Sequence, residues 1–304
     1  MAKPPLFCIS NIDFRHLSLA DWLDMVRQND LDHVELGSFA LDEAPLADVQ
    51  RELALRRIAV AVLDSGSVHE LGRCQTDAEV ETTQKHVVDC LALARRLGAD
   101  GLLVRLGHTA HRDTITAVRL VRDYLKPCLA AAEAHGVTML IESRFDWRGV
   151  DPTRSAIESR PEHLLMLMEA VGSRFLKVNY DAANFHIAGG ESFPLPYELL
   201  KPWIGYVHMK DCRRFSPLTH GLKANHKLKT DSHTGDYECV AVGRGVVNSM
   251  GILKALLDDG YEGFIGLEPH TAPAKNRAVF EESLRYLRAA MRTLTQGARE
   301  PVAS

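Results

Sequence analysis

The sequence predicts an α/β fold, a (β/α)8 barrel, and three observations carry that prediction. Short apolar runs of strand length alternate with amphipathic stretches of helix length eight times along 304 residues, the pattern of successive βα units. Runs such as Ile58-Ala-Val-Ala-Val-Leu63 are apolar throughout, as strands covered on both faces are. Four successive runs in the second half end on a metal-capable side chain, and in parallel α/β structures the carboxyl ends of the strands share the face where ligands bind. Alternation alone also fits a doubly wound open sheet, but eight parallel strands close most simply into a barrel.

The first strand is Leu6-Phe-Cys-Ile-Ser10, followed by a helix capped by Ser18 that carries Leu19, Trp22, Leu23 and Val26 at helical spacing. The second strand is His33-Val-Glu-Leu36, the second helix covers 46–57, and the third strand runs over 58–63. An amphipathic stretch over 77–97 ends at Gly98, a natural helix terminator, before the fourth strand, Gly101-Leu-Leu-Val-Arg-Leu106. The fourth helix spans 112–135 and stops at Gly136; the fifth strand ends at Glu142; the fifth helix covers 160–171; the sixth strand ends at Asp181. A short sixth helix lies at 197–203, the seventh strand carries His208, and a seventh helix over 247–259 ends at Gly260. The eighth strand ends at Glu268 and the last helix covers 276–293, so that one domain takes in residues 1–304, with a frayed tail from Gln296.

Two connections, 143–159 and 212–244, exceed the few residues usual between such elements and are expected as loops at the active-site face. The second is rich in Lys, His, Asp and Gly, and its Gly243-Arg-Gly245 predicts a tight turn.

With 46% hydrophobic and 25% charged residues the chain has enough apolar material for a continuous core. Lys and Arg total 36 against 40 Asp and Glu, a formal charge of −4, so no chain-wide basic field draws it to nucleic acid or anionic lipid. The opening residues break with prolines where a signal peptide needs an apolar stretch, and no run of about 18 apolar residues appears, which predicts a cytoplasmic protein without membrane contact. Cys8, Cys74, Cys90, Cys128, Cys212 and Cys239 are scattered without a C-x-x-C pair, which points to reduced thiols rather than disulfides or a zinc knuckle.

Glu142, Asp181, His208 and Glu268 each close one of four consecutive strands. One acidic strand end is ordinary and is more often a cap or a salt bridge; four in succession point to a shared site. Three hard carboxylates and one imidazole read as a site for one divalent cation, best suited to Mn2+ or Mg2+, with Co2+ or Zn2+ admitted by the Irving–Williams order. His108 after the fourth strand reads as substrate-facing, while Glu35 and Arg105 read equally as pocket residues or as a buried pair filling the barrel.

Glu142-Ser143, Tyr180-Asp-Ala-Ala-Asn-Phe185, Val207-His-Met-Lys-Asp211, Val242-Gly-Arg-Gly245 and Gly260-Tyr-Glu-Gly-Phe-Ile-Gly-Leu-Glu268 resemble the xylose isomerase-like TIM-barrel superfamily, in its sugar phosphate isomerase/epimerase branch. The resemblance implies that Glu142, Asp181, His208 and Glu268 bind one divalent metal. It implies an isomerase or epimerase that acts on a keto sugar or related polyol through a metal-stabilised enediolate, with Glu142 and Glu268 as base and acid. It further implies a small-molecule carbohydrate substrate, with Arg214 at the spacing of a substrate-binding arginine, and a homodimer, for which the sequence offers no interface. By position, Asn184 and His108 join it as candidate substrate contacts, and Lys210 and Asp211, directly after His208, border the site, Lys210 reading equally as a structural ion pair.

Two features depart from the epimerase pattern: Asn184 stands where those enzymes carry a histidine, and Ser143-Arg-Phe-Asp146 is a shortened version of their segment. A lyase or dehydratase of a keto-polyol, of the inosose or 3-keto-glycoside type, uses the same metal site and remains the alternative. Class II apurinic endonucleases belong to the same superfamily, and His69, His108 and Asp231-Ser-His233 echo their multi-metal sites, but the acidic net charge and Asn184 speak against a nucleic-acid substrate. A non-catalytic sugar-binding protein would need the same four ligands without the acid/base pair.

Overall fold

Every strand of the main sheet hydrogen-bonds to a parallel neighbour on each side, and the sheet closes on itself. In the computed structural model of the chain, which describes residues 4–66, 70–109, 113–145, 156–221, 227–231 and 234–297, the barrel strands are β1 Leu6–Ser10, β2 His33–Gly37, β3 Ala59–Asp64, β4 Gly101–Val104, β5 Thr138–Glu142, β6 Leu176–Asp181, β7 Ile204–Met209 and, last in the chain, β11 Phe264–Leu267. Their order round the ring is β1-β11-β7-β6-β5-β4-β3-β2, with β1 paired to both β2 and β11. The closed barrel is thus the architecture, and the open sheet is excluded.

Helices α1 Leu19–Gln28, α3 Leu46–Arg56, α4 Asp77–Leu97, α5 Thr114–His135, α6 Pro161–Val171, α8 Leu195–Leu200, α10 Ser249–Asp258 and α11 Pro273–Gly297 stand outside the strands, with short turns of helix at α2 Ala40–Glu43, α7 Ala182–Ile187 and α9 Pro217–His220. Local chemistry fixes their ends. The Ser18 hydroxyl accepts the Asp21 N–H at 3.1 Å to open α1, Thr76 and Glu79 form a reciprocal capping box at α4, and Gly98 and Gly136 end α4 and α5 in the left-handed conformation. The fourth strand stops at Val104 rather than Leu106 because Leu106 N–H turns to the Glu158 carboxylate instead of the ladder. Arg112, the predicted start of the fourth helix, lies outside the described residues. Among the described residues no helix is long and apolar enough to cross a membrane.

Two packed regions result. The larger lies between strands and helices and includes Trp22, Leu36, Leu125, Tyr180 and Phe280. The smaller fills the barrel interior with Cys8, Ala61, Val62, Leu103, Leu140 and Tyr206, the layered side-chain filling that makes such a barrel a core rather than a pore. Gly266 makes room for Tyr206: a Cβ there would lie 2.0 Å from the tyrosine oxygen.

The stretch 212–244, expected as a loop, instead carries a small sheet of its own. Strands β8 Asp211–Arg214, β9 Leu228–Asp231 and β10 Gly235–Val240 form a three-stranded antiparallel sheet in the order β8-β10-β9. The polar composition of Leu228-Lys-Thr-Asp231 hides a strand whose partner is β10, in register Tyr237↔Lys229. Residues 222–226 and 232–233 of this stretch, and 146–155 of the earlier long connection, lie outside the described residues.

Candidate metal centre and cavity

Four successive strands deliver four donors to one point. Glu142 and Asp181 are the last residues of β5 and β6, His208 lies in β7, and Glu268 directly follows β11. One donor atom from each lies within 4.8 Å of the others, and all four residues are buried. Asp181 also caps α7, accepting the Asn184 N–H at 3.1 Å.

His208 is held between carboxylates. Its Nε2 lies 2.6 Å from Glu35 Oε2, while Nδ1 lies 3.0 Å from Glu142 Oε1, 3.5 Å from Glu268 Oε2 and 3.0 Å from the Asn179 amide nitrogen. The Lys210 ammonium reaches Asp181 at 2.6 Å and Glu268 at 3.3 Å. His270 Nε2 approaches Glu268 Oε2 at 2.9 Å. Its backbone, at φ 48, costs about 1 kcal/mol for a residue with a Cβ, and Asp13 holds it there by accepting both the His270 backbone N–H at 2.7 Å and the ring at 2.9 Å.

Burial alone would neutralise these groups, and their neighbours decide otherwise. Burial raises the Glu142 carboxyl, but the His208 hydrogen bond and the Arg105 charge bring it down to about 2. Against the same burial, His208, His270 and Lys210 hold Glu268 well below the usual carboxylate range. Burial would lower the His208 ring, yet Glu268 and Glu35 keep it well above the usual imidazole value. Lys210 is held up in the same way by Asp181 and Glu268. Three buried carboxylates this close need positive charge between them. Here Lys210 and the His208 imidazolium supply it, and a divalent cation would supply it equally. Hard oxygen donors plus one imidazole, converging and buried, fit such an ion, so the cluster can hold a metal.

Above the cluster opens a cavity of about 420 Å3 whose lining includes Glu142, Glu268, Lys210, Asn184 and His270. Asn184 donates through Nδ2 to Ser143 O at 2.7 Å and leaves its buried Oδ1 without a hydrogen bond among the described residues. Of the other residues singled out in the sequence, Asp211 does not line the cavity: its carboxylate accepts the N–H groups of Cys212, Gly243, Gly245 and Val247 and pins the Gly243-Arg-Gly245 turn. Arg214 is exposed at the end of β8, opposite Tyr237, because the strand carries it away from the barrel mouth. His108 lines a smaller neighbouring cavity with Glu70, Arg73 and Glu158. Glu35 and Arg105 do not pair; Arg105 forks onto Asp64 and reaches Glu142 at 3.5 Å, while Glu35 serves His208. Asp231 accepts the Thr234 N–H at 3.1 Å, and His69, Asp146 and His233 lie outside the described residues.

Sequence reasoning passed over Asp13, Asp64, Arg15, Arg144, Lys227, Lys229 and His270. Asp13 and His270 do stand just beyond strand ends in Ser10-Asn-Ile-Asp13 and Glu268-Pro-His270, a positional signal, but their contact requires the first and last strands to meet.

No curated protein matches the sequence significantly. Solved structures resemble it in fold. The probable 3-DHS dehydratase AsbF of Bacillus anthracis superposes with a TM-score of 0.68 at 18% identity, covering 93% of this chain and 98% of that one. The 3-keto-D-glucoside 4-epimerase YcjR of E. coli gives 0.70 at 14% identity, over 94% and 99%. A structure of the IOLI protein with a bound zinc atom gives 0.71 at 16%, over 96% and 98%. The family model described as "Xylose isomerase-like TIM barrel" matches residues 23–290, and with the closed eight-stranded barrel in place the chain belongs to that family.

Proposed function

We propose that the protein is a divalent-metal-dependent isomerase or epimerase of a keto sugar or related polyol. The observation that carries this reading is the convergence of Glu142, Asp181, His208 and Glu268, two of which, Glu142 and Glu268, line a cavity of about 420 Å3, room enough for a monosaccharide. When bound by these four residues, a divalent cation supplies Lewis-acid polarisation of a substrate carbonyl and so acidifies the neighbouring C–H. Carboxylate donors favour Mn2+ or Mg2+, and the zinc of the IOLI structure supports including Zn2+ in any trial.

The chain's own residues then manage the proton. Glu142 and Glu268 are both anions at neutral pH and come from strands three places apart in the ring, so that they approach a substrate from different sides. One accepts the carbon-bound proton and the other returns it, which inverts a stereocentre when the two act on opposite faces. His270, braced by Asp13, orients the Glu268 carboxylate. Asn184, with an uncommitted amide oxygen, offers an acceptor to a substrate hydroxyl.

Elimination from a keto-polyol is the second reading, and Lys210 is the observation that favours it. An ammonium 3.3 Å from Glu268, held charged by its carboxylate neighbours, is a cation positioned to hydrogen-bond a departing hydroxyl and stabilise the negative charge it develops. The two readings separate in one experiment: keto sugars, inososes and 3-keto-glycosides incubated with the Mn2+-loaded protein in D2O and followed by NMR. Deuterium incorporated beside the carbonyl with retention of the skeleton supports isomerisation, and loss of a hydroxyl supports elimination. Glu142→Gln and Glu268→Gln are each expected to slow the exchange by about a hundredfold or more. Full activity in either variant removes that residue from the acid/base role, and no exchange with any substrate of these classes sinks the reading.

A further inference from the structure

The cavity is lined by Arg15, Arg105, Arg144, Lys210, Lys227 and Lys229 against three carboxylates, Asp64, Glu142 and Glu268. Four of the six cations are already matched. Arg105 holds Asp64, Lys210 holds Asp181 and Glu268, Arg144 reaches Glu70 at 2.8 Å, and Lys227 reaches Asp13 at 2.8 Å. Lys229 and Arg15 are the two left over: neither has a carboxylate within ion-pair distance among the described residues. The Arg15 guanidinium lies over the Phe39 ring, 3.9 Å from its centroid, a contact that orients it without cancelling its charge.

Lys229 is the more telling. It sits on β9, fixed opposite Tyr237 by the antiparallel ladder, half-buried, with Lys210 and Lys227 for neighbours. Burial and then the Lys210 charge pull its pKa down, and Cys239 and the Glu268 carboxylate, which lies beyond ion-pair distance, oppose them without restoring it. An ammonium withdrawn from water beside other cations is destabilising unless something negative joins it. The hydroxyls of a neutral polyol do not provide that charge.

We propose that this wall of the cavity is an anion subsite: the substrate carries an oxyanion group, a carboxylate or a phosphate, that Lys229 binds with Arg15 as the second cation, while its polyhydroxylated carbon skeleton extends toward Glu142 and Glu268. The proposal relies on the function proposed above only for what happens at the far end of that molecule.

Calorimetric titration with three six-carbon probes tests it: glucitol, its carboxylate counterpart gluconate, and glucitol 6-phosphate, each with and without Mn2+ and at low and high salt. At low salt one or both anions are expected to bind at least about tenfold more tightly than glucitol, as a charge-assisted contact implies, and the tighter of the two identifies the anionic group. The preference shrinks with salt, disappears in Lys229→Met, and returns in Lys229→Arg, which controls for damage to the sheet. The subsite is ruled out if neither anion outbinds glucitol, or if Lys229→Met retains the preference. A preference that needs Mn2+ and survives Lys229→Met reports chelation and overturns the proposal too, as does a Lys229→Met protein that binds anions normally but loses turnover. Anion preference without deuterium exchange on any keto sugar would sink the proposed function and leave the subsite standing; exchange confined to neutral sugars would do the reverse.

Discussion

Which ring nitrogen His208 turns toward the three carboxylates is settled from beneath, by Glu35. With Glu35 Oε2 2.6 Å from Nε2, the Nε2 proton is fixed and Nδ1 is the nitrogen directed at Glu142 and Glu268. Tyr206 packs edge-on under the ring at 5.1 Å between centroids, so the imidazole can neither flip nor sink. A buried carboxylate in this supporting position is typically worth ten- to a hundredfold in metal affinity. Glu35→Leu is therefore expected to weaken Mn2+ binding by about that factor while leaving the far-UV circular dichroism unchanged; unaltered affinity would show that the ring is oriented by something else. The pH dependence has a definite sign. Glu268 and Glu35 hold His208 as an imidazolium past its usual range despite burial, so an ion entering at pH 7 must displace the Nδ1 proton. Affinity then falls as pH falls, and binding enthalpies measured in buffers of different ionisation enthalpy should diverge by about one proton per ion. Identical enthalpies in every buffer would contradict this. The four donors were legible residue by residue because each closes its own strand; Glu35 and His270 were not, since their roles depend on contacts between β2 and β7 and between β1 and β11 that no local pattern encodes.

Among the elements, the turn at Gly243-Arg-Gly245 shows how a polar residue beside the site serves the frame. Asp211 gathers four backbone N–H groups, two of them from glycines, and a Cβ at Gly245 would stand 2.2 Å from the Asp211 carboxylate. Asp211→Ala strands several of these donors and is expected to cost about 3 kcal/mol in urea unfolding, with faster amide exchange confined to the turn and the start of α10. A loss under about 0.5 kcal/mol would mean that water replaces the carboxylate without penalty. The nearby β8-β10-β9 sheet was illegible for a related reason. Lys, Asp and Gly carry weak strand propensity, and the pairing joins β8 to a segment some twenty residues on, so the stretch reads as loop until its partner is known. Helices such as α4, by contrast, announce both ends locally, through Thr76, Glu79 and Gly98.

At the scale of the whole molecule, the barrel's order round the ring follows chain order except where the side sheet inserts before β11, which is why eightfold alternation was enough to predict it. Each βα unit meets the next, and the one long-range decision is the closure of β1 on β11. The four candidate donors span β5, β6, β7 and the end of β11, so an ion bound there would tie together the half of the ring next to that closure. At a hundredfold excess over its dissociation constant such an ion stabilises by about 2.7 kcal/mol, which for a chain of this size is a melting shift of about 5 °C. Addition of a chelator should remove the shift, and Glu268→Gln should lack most of it. Melting that ignores both Mn2+ and chelator would mean that the four donors hold no cation in solution.

Lys210 gives that coupling its particular character. Because an ammonium from the chain already bridges Asp181 and Glu268, the barrel can be completed first and loaded afterwards. A divalent cation admitted there would take over from Lys210 the neutralisation of Asp181 and Glu268, so that loading would trade one positive charge for another rather than bring charge to an unbalanced floor.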